Sequence, residues 1–203
     1  MQKNILFIYT NFSTFVKTDF EILSSNNKVL KYQFIPTKKI LNNAKLFLSQ
    51  FFYLLFNIHK FETLYIWFAD YHSFLPIIFA KLFQKKSFIV IGGYDVADLP
   101  EYNYGSFSSP LRKFMASYSL NNATLCLPVV ESLEVQLKKL CPKANSQTVY
   151  TGYSLGEESK VVCKQERTKS VLTVSITDNK QRFLIKGLDR FVDLASNMPD
   201  FNF

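Results

Sequence analysis

WFADYHSFLPIIFAKLFQKKSFIVIGGYDV, residues 67–96, reads as a loop, a helix, a buried strand and a second loop, and the rest of the chain repeats that alternation. Ser87-Phe88-Ile89-Val90-Ile91 is apolar without a polar alternate, as a parallel strand covered on both faces must be. Gly92 and Gly93 end it and let the backbone turn with no Cβ in the way; Tyr94 and Asp95 follow at once. One strand earlier, Thr63-Leu64-Tyr65-Ile66-Trp67-Phe68 runs into Asp70, Tyr71 and His72. Ligands of an open α/β sheet bind at the carboxyl ends of its strands. Two neighbouring strand ends are therefore expected to carry polar groups on one rim.

Working outward, Asn4 to Thr10 is a first buried strand, and residues 14–25 form an amphipathic helix with Val16, Phe20 and Leu23 inward. Lys28 to Phe34 alternates like a strand. From Lys38 to Lys60 runs a long helix whose apolar stripe, Leu41 to Ile58, is broad enough to predict burial on two sides. The next helix has Ser73 as its expected N-cap and Pro76 in its first turn. The loop 97–107 is long for a plain connector and rich in hydrogen-bonding groups, the usual carriers of function. Ser109 and Pro110 then start a helix, with Leu111, Phe114, Met115 and Tyr118 inward and Arg112 and Lys113 outward. Thr124 to Val130 is a strand, Glu131 opens a helix with Leu133, Leu137 and Leu140 inward, and Gln147 to Tyr150 is a sixth strand. Residues 1–153 thus read as a six-stranded parallel unit of order 3-2-1-4-5-6 with helices on both faces. Residues 154–169 are polar and aperiodic, a linker. Val171 to Ile176 and Gly187 to Met198 then read as the first strand and helix of a second domain, 170–203.

Composition narrows the function. With 48% hydrophobic residues, 21 Phe and 11 Tyr, the 203-residue chain has the means for an aromatic-rich core. Cys126, Cys141 and Cys163 lack metal-ligand spacing and stand apart from His59 and His72, so neither a zinc site nor a disulfide framework is expected, and a reducing cytosol fits. The short apolar run after Met1 predicts no signal peptide, and the most apolar helix falls short of the ~18 to 20 clean residues of a membrane span. The segment Thr10 to Phe15 has no glycine, which argues against NAD or FAD. Residues 1–153 hold 16 basic and 9 acidic residues, +7, and residues 154–203 hold 8 and 7, +1. Such a balance suits either a solvated surface or attraction to anionic membranes or acidic substrates. No cationic run is longer than a pair, so nucleic acid is not an expected partner.

The order of acidic residue and His after one strand, then helix, Lys-rich turn, apolar strand and Gly-Gly-Tyr-Asp-Val resembles the N-terminal domain of family-four glycosyltransferases of the GT-B fold. Many members carry His-Gly-Ser-Asp-Val there, so Gly92 stands at the family's His position. Leu-Pro-Val-Val-Glu, ending at Glu131, and Val-Tyr-Thr-Gly-Tyr, ending at Tyr153, are similar to the family's later strand ends. The resemblance implies a Rossmann-like doubly wound parallel sheet and transfer, with retention, of a sugar from a nucleotide-sugar to a glycan or lipid-linked acceptor. It implies no metal and no cofactor. Catalytic roles fall on Asp95, Asp70 and His72, and acceptor binding on Gly92, Gly93, Tyr94, Tyr102, Tyr104 and Gly105. Lys-Gly at a helix start, with Arg182 before it, resembles the family's diphosphate site and assigns donor binding to Arg182, Lys186 and Gly187. The family's paired glutamates lie beyond Phe203, so an acceptor domain with the start of a donor domain is expected, inactive alone. The compartment implied is the cytoplasm, at the inner face of the membrane. A non-catalytic α/β binding module at a membrane surface is the alternative.

Overall fold

Five short segments pair side by side as parallel strands: β1 (Asn4–Tyr9), β2 (Lys28–Gln33), β3 (Thr63–Trp67), β4 (Lys86–Ile91) and β5 (Leu125–Pro128). Their order is β2-β1-β3-β4-β5, a Rossmann-like arrangement in which every crossover is helical. This computed structural model describes residues 2–37, 39–152, 169–175 and 177–203. The helices are α1 (Thr14–Asn26), α2 (Ile40–Asn57), α3 (Tyr71–Leu82), α4 (Pro110–Asn122), α5 (Glu131–Leu140), α6 (Lys180–Ile185) and α7 (Leu188–Asn197). The chain divides into two units, Met1–Tyr153 and Ser154–Phe203.

Alternate residues of each strand face opposite sides of the sheet, which sorts the core into two clusters. Leu6, Ile8, Leu64, Ile66, Ile89 and Ile91 meet Leu54 of α2, Ile77 of α3, Leu120 of α4 and Leu137 of α5. Phe7, Tyr9, Trp67 and Val90 meet Val16 of α1. Asp19 fastens α1 to that second side: its Oδ2 accepts from the Tyr65 hydroxyl at 2.8 Å and from Trp67 Nε1 at 3.0 Å.

The expected order 3-2-1-4-5-6 is corrected. β3 lies between β1 and β4, with Ile8 opposite Ile66 and Trp67 opposite Val90. The reason lies in the side chains. β3 is buried along nearly its whole length, so it belongs in the interior of a sheet; β2, with Lys28 and Lys31 exposed, tolerates an edge. The sixth strand does not form. Residues 146–149 keep one bridge, Cys126 to Ser146, and two hydrogen bonds, Gln147 N to Cys126 O at 3.0 Å and Val149 N to Pro128 O at 2.9 Å. β5 ends in Pro128, which has no N–H to give the next rung.

Three helix readings also change. α2 is buried on one side only, at Gln50 and Leu54, and its other side is open. In α4 the inner residues are Ala116, Ser119 and Leu120, while Leu111 and Phe114 are exposed and Arg112 is half-buried. The α3 N-cap is Asp70, whose Oδ1 accepts from Tyr71 N at 2.8 Å; Ser73 sits inside the helix and bridges to Ser119 of α4 at 2.9 Å.

In the second unit, α6 forms ahead of the expected helix, with Asn179 Oδ1 accepting from Arg182 N as its cap. α7 takes the place of the expected helix. The expected strand from Val171 is not formed among the described residues: Leu172 and Val174 are exposed, and the one bridge joins Ser170 to Asn202. The linker expected at 154–169 falls, except for Lys169, outside the described residues.

Candidate functional site at the carboxyl ends of β3 and β4

Because Trp67 and Val90 are opposite one another, the chain leaves β3 and β4 at the same height, and Asp70 and Gly92 to Asp95 emerge side by side. Phe68 leaves β3 with φ of 69°, held by its N–H to Val90 O at 3.0 Å. Its ring fills the space beside Gly92, where a Cβ would come within 2.5 Å of Phe68 Cε1. Gly93 turns the chain with φ of 114°, open to glycine and strained for other residues.

Arg112 comes to this rim from the first turn of α4. Its Nε lies 3.6 Å from Asp70 Oδ1, and its Nη1 donates to the Tyr94 hydroxyl. The guanidinium stands 5.2 Å from the centre of the Tyr71 ring and 5.8 Å from that of Tyr94, within cation–π range. Burial works against its charge, but Asp70, Tyr94 and Tyr71 outweigh it and raise the Arg112 pKa. Burial also raises the Tyr94 hydroxyl, against the lowering pull of Arg112. Tyr104 meets Tyr94 edge to face at 5.0 Å. The loop bearing Tyr102 and Tyr104 is fastened over the rim by Ser106 Oγ, which donates to Ala69 O at 3.0 Å, and by the bridge between Leu99 and Tyr104. Gly105 lets it pass, since a Cβ there would lie 2.0 Å from Ala97 O.

Asp95 lies beneath the glycine turn with no exposed surface. Its Oδ1 accepts from Gly93 N at 2.9 Å, and its Oδ2 has no hydrogen-bond partner. Burial pushes its pKa up to about 7, opposed by the Gly93 N–H. The carboxyl also faces Cys126 of β5, whose thiol is pushed up to about 12, first by burial and then by Asp95. His72 is enclosed as well: its Nε2 stands 2.7 Å from Trp67 O, and Gln50 of α2 donates to its carbonyl at 3.0 Å. Burial lowers its pKa, so the imidazole is held neutral.

Of the residues the sequence assigned to the rim, Asp70, Tyr94 and Tyr104 come together there, with Gly92, Gly93 and Gly105 shaping the backbone. Asp95 and His72 lie under it. Arg112 was missed, and Tyr71, expected at this strand end, was given no role. Had Ala116, Ser119 and Leu120 been taken as the inner stripe of α4, position 112 would have fallen on the same side, four residues before 116. In the second unit, Arg182 belongs to α6 and pairs with Asp178 at 3.4 Å, both exposed; Lys186 ends α6, and Gly187, with φ of 68°, joins it to α7. Among the described residues no three His, Cys, Asp or Glu side chains converge to hold a metal ion. No protein-family model matches the chain, and no curated protein matches it either.

Proposed function

We propose that this chain is the acceptor-holding part of a glycosyltransferase that moves a sugar from a nucleotide-sugar to a hydroxyl of a glycan or lipid-linked acceptor. One observation carries the reading: Arg112, Asp70 and Tyr94 meet where two parallel strands end side by side. A polyhydroxylated ligand needs fixed acceptors and donors for its hydroxyls and aromatic edges for its C–H faces, and this rim has both. Asp70 accepts from a hydroxyl, Arg112 donates to its neighbour, and Tyr94 and Tyr104 border the sugar ring. In the transfer, the acceptor oxygen bonds to the anomeric carbon, the bond from that carbon to the diphosphate breaks, and the hydroxyl proton passes to a carboxylate. Asp70 reaches the rim for that proton. Asp95, being enclosed, acts through the Gly92-Gly93 turn it holds. The diphosphate falls to Arg182, Lys186 and Gly187.

Titration of the 203-residue chain with a panel of oligosaccharides and lipid-linked glycan mimics, followed by ligand-observed NMR, tests this. Saturable binding is expected, weakened about tenfold or more by Arg112→Ala and by Tyr94→Ala, as when a half-buried hydrogen-bonding partner is removed. Absence of any saccharide ligand, or a ligand indifferent to both changes, overturns it.

A further inference from the structure

α2 has two apolar sides, and only one is covered. Opposite Leu54, its outward side exposes Leu48 by 58%, Phe52 by 47%, Leu55 by 41% and Phe56 by 64%. The face continues onto the end of α3. Phe52 stacks on Phe56, Phe51 packs edge to face on Phe79 at 5.5 Å, and Phe79 stacks on Phe83 at 5.9 Å, next to Leu82, which is 72% exposed. Phe79 itself is buried, and Phe51, Leu82 and Phe83 stand exposed on either side of it; exposed apolar groups gathered in this way mark something that binds there.

Charge identifies the occupant. From Phe34 to Phe61 the chain has four lysines and no Asp or Glu, and from Tyr71 to Tyr94 it has Lys81, Lys85 and Lys86 and again no acid. The acids that flank these segments are engaged elsewhere: Glu62 accepts from Asn4 N, and Asp70 pairs with Arg112. A second copy of the chain docked through this same face would set lysine against lysine with no carboxylate between. A bilayer with anionic headgroups meets both halves of the pattern, because rings and leucines enter the headgroup boundary while lysine stems stretch back to phosphate. α2 is about 27 Å long and carries Lys45 and Gln50, and no described helix is long and apolar enough to cross a membrane.

We propose that the outward side of α2, continued by the end of α3, docks the protein on an anionic lipid surface, with α2 lying in the plane of the headgroups. This surface does not depend on sugar transfer, and its test leaves that reading untouched. The site is also not the one that charge on α4 would suggest, because Arg112 is committed to Asp70 and Tyr94.

The 203-residue chain is to be sedimented with vesicles of phosphatidylcholine alone and of phosphatidylcholine with phosphatidylglycerol. Binding is expected to the second kind only and to fall steeply with added salt. Lys45→Gln should weaken it about fivefold, and Lys113→Gln should leave it unchanged. Phe52→Ser with Phe56→Ser should abolish sedimentation while the melting curve stays put, since both side chains stand in water. In an otherwise native chain, Phe56→Trp should add a blue-shifted emission quenched by spin-labelled lipid. Equal binding to neutral vesicles, or binding that survives the double change, overturns the proposal. So does an emission from the introduced indole that is blind to lipid, or a solution dimer that the double change dissolves.

Discussion

Asp95 is a carboxyl group shut away from water beside a thiol, and its ionisation carries a cost that depends on pH. With its pKa raised from 3.8 to about 7, the folded chain keeps a proton that the unfolded chain gives up from about pH 4. Stability from this group is therefore complete below pH 4 and is lost as pH rises toward 7. Asp95→Asn removes the dependence. The difference between variant and wild-type stability is expected to grow in the variant's favour across that window, reaching on the order of 4 kcal/mol by the linkage relation. Denaturant melts of both proteins at several pH values check it, and parallel curves would refute it. His72 acts in the opposite sense, destabilising as pH falls below 6.5, but equally in both proteins, so it cancels in the difference. A second test concerns Gly92, whose missing Cβ is what lets Phe68 lie where it does. Gly92→Ala is expected to cost about 1–3 kcal/mol as overpacking, and Phe68→Ala in the same chain should restore most of that loss; additive costs would separate the two residues. The sequence showed the two glycines and the acid behind them. It did not show that the acid is enclosed, because Asp95 is covered in part by β5, whose Cys126 lies some thirty residues further along the chain.

At the scale of single elements, α2 divides its length between two environments, and neighbouring leucines should respond oppositely. Leu54→Ala empties a fully buried position and is expected to cost about 2–5 kcal/mol, whereas Leu55→Ala, on the open side, should stay within about 0.5 kcal/mol. Urea unfolding of the two variants reads this directly, and similar losses would show the outward side to be covered. Apolar content alone misled here. A broad stripe predicts that water is avoided, but not whether protein or some other surface does the covering. Strands were more legible. All five were visible, four as apolar runs and β2 by alternation, yet their order was not: the alternation of β2 and the unbroken burial of β3 already distinguish an edge from a centre, and that contrast outweighs any family template. The sixth run failed for a local reason, the missing N–H of Pro128. The α3 cap illustrates competition between adjacent candidates. Asp70 and Ser73 are both good cap residues, and Asp70 wins because its side chain reaches Tyr71 N while Ser73 is needed to tie α3 to α4.

Over the whole molecule, burial is concentrated in the first unit. Every residue buried below the surface, among those described, lies between Ile5 and Ala144. The second unit has α6 and α7, one ring contact between Phe191 and Phe203 at 5.3 Å and one bridge from Ser170 to Asn202, with no described residue fully buried. Folding stability grows with the area removed from water, and a unit of about 50 residues in which no described residue is buried falls near or below the size that can fold unaided. Residues 1–153 are therefore expected to fold alone, with a cooperative melt whose midpoint lies within about 2 °C of the full chain's, because every buried residue among those described belongs to the first unit. Residues 154–203 alone should give helical signal without a cooperative transition. Circular dichroism of the two pieces against the 203-residue chain is the measurement. A midpoint for residues 1–153 lowered by about 10 °C or more would refute the independence of the first unit.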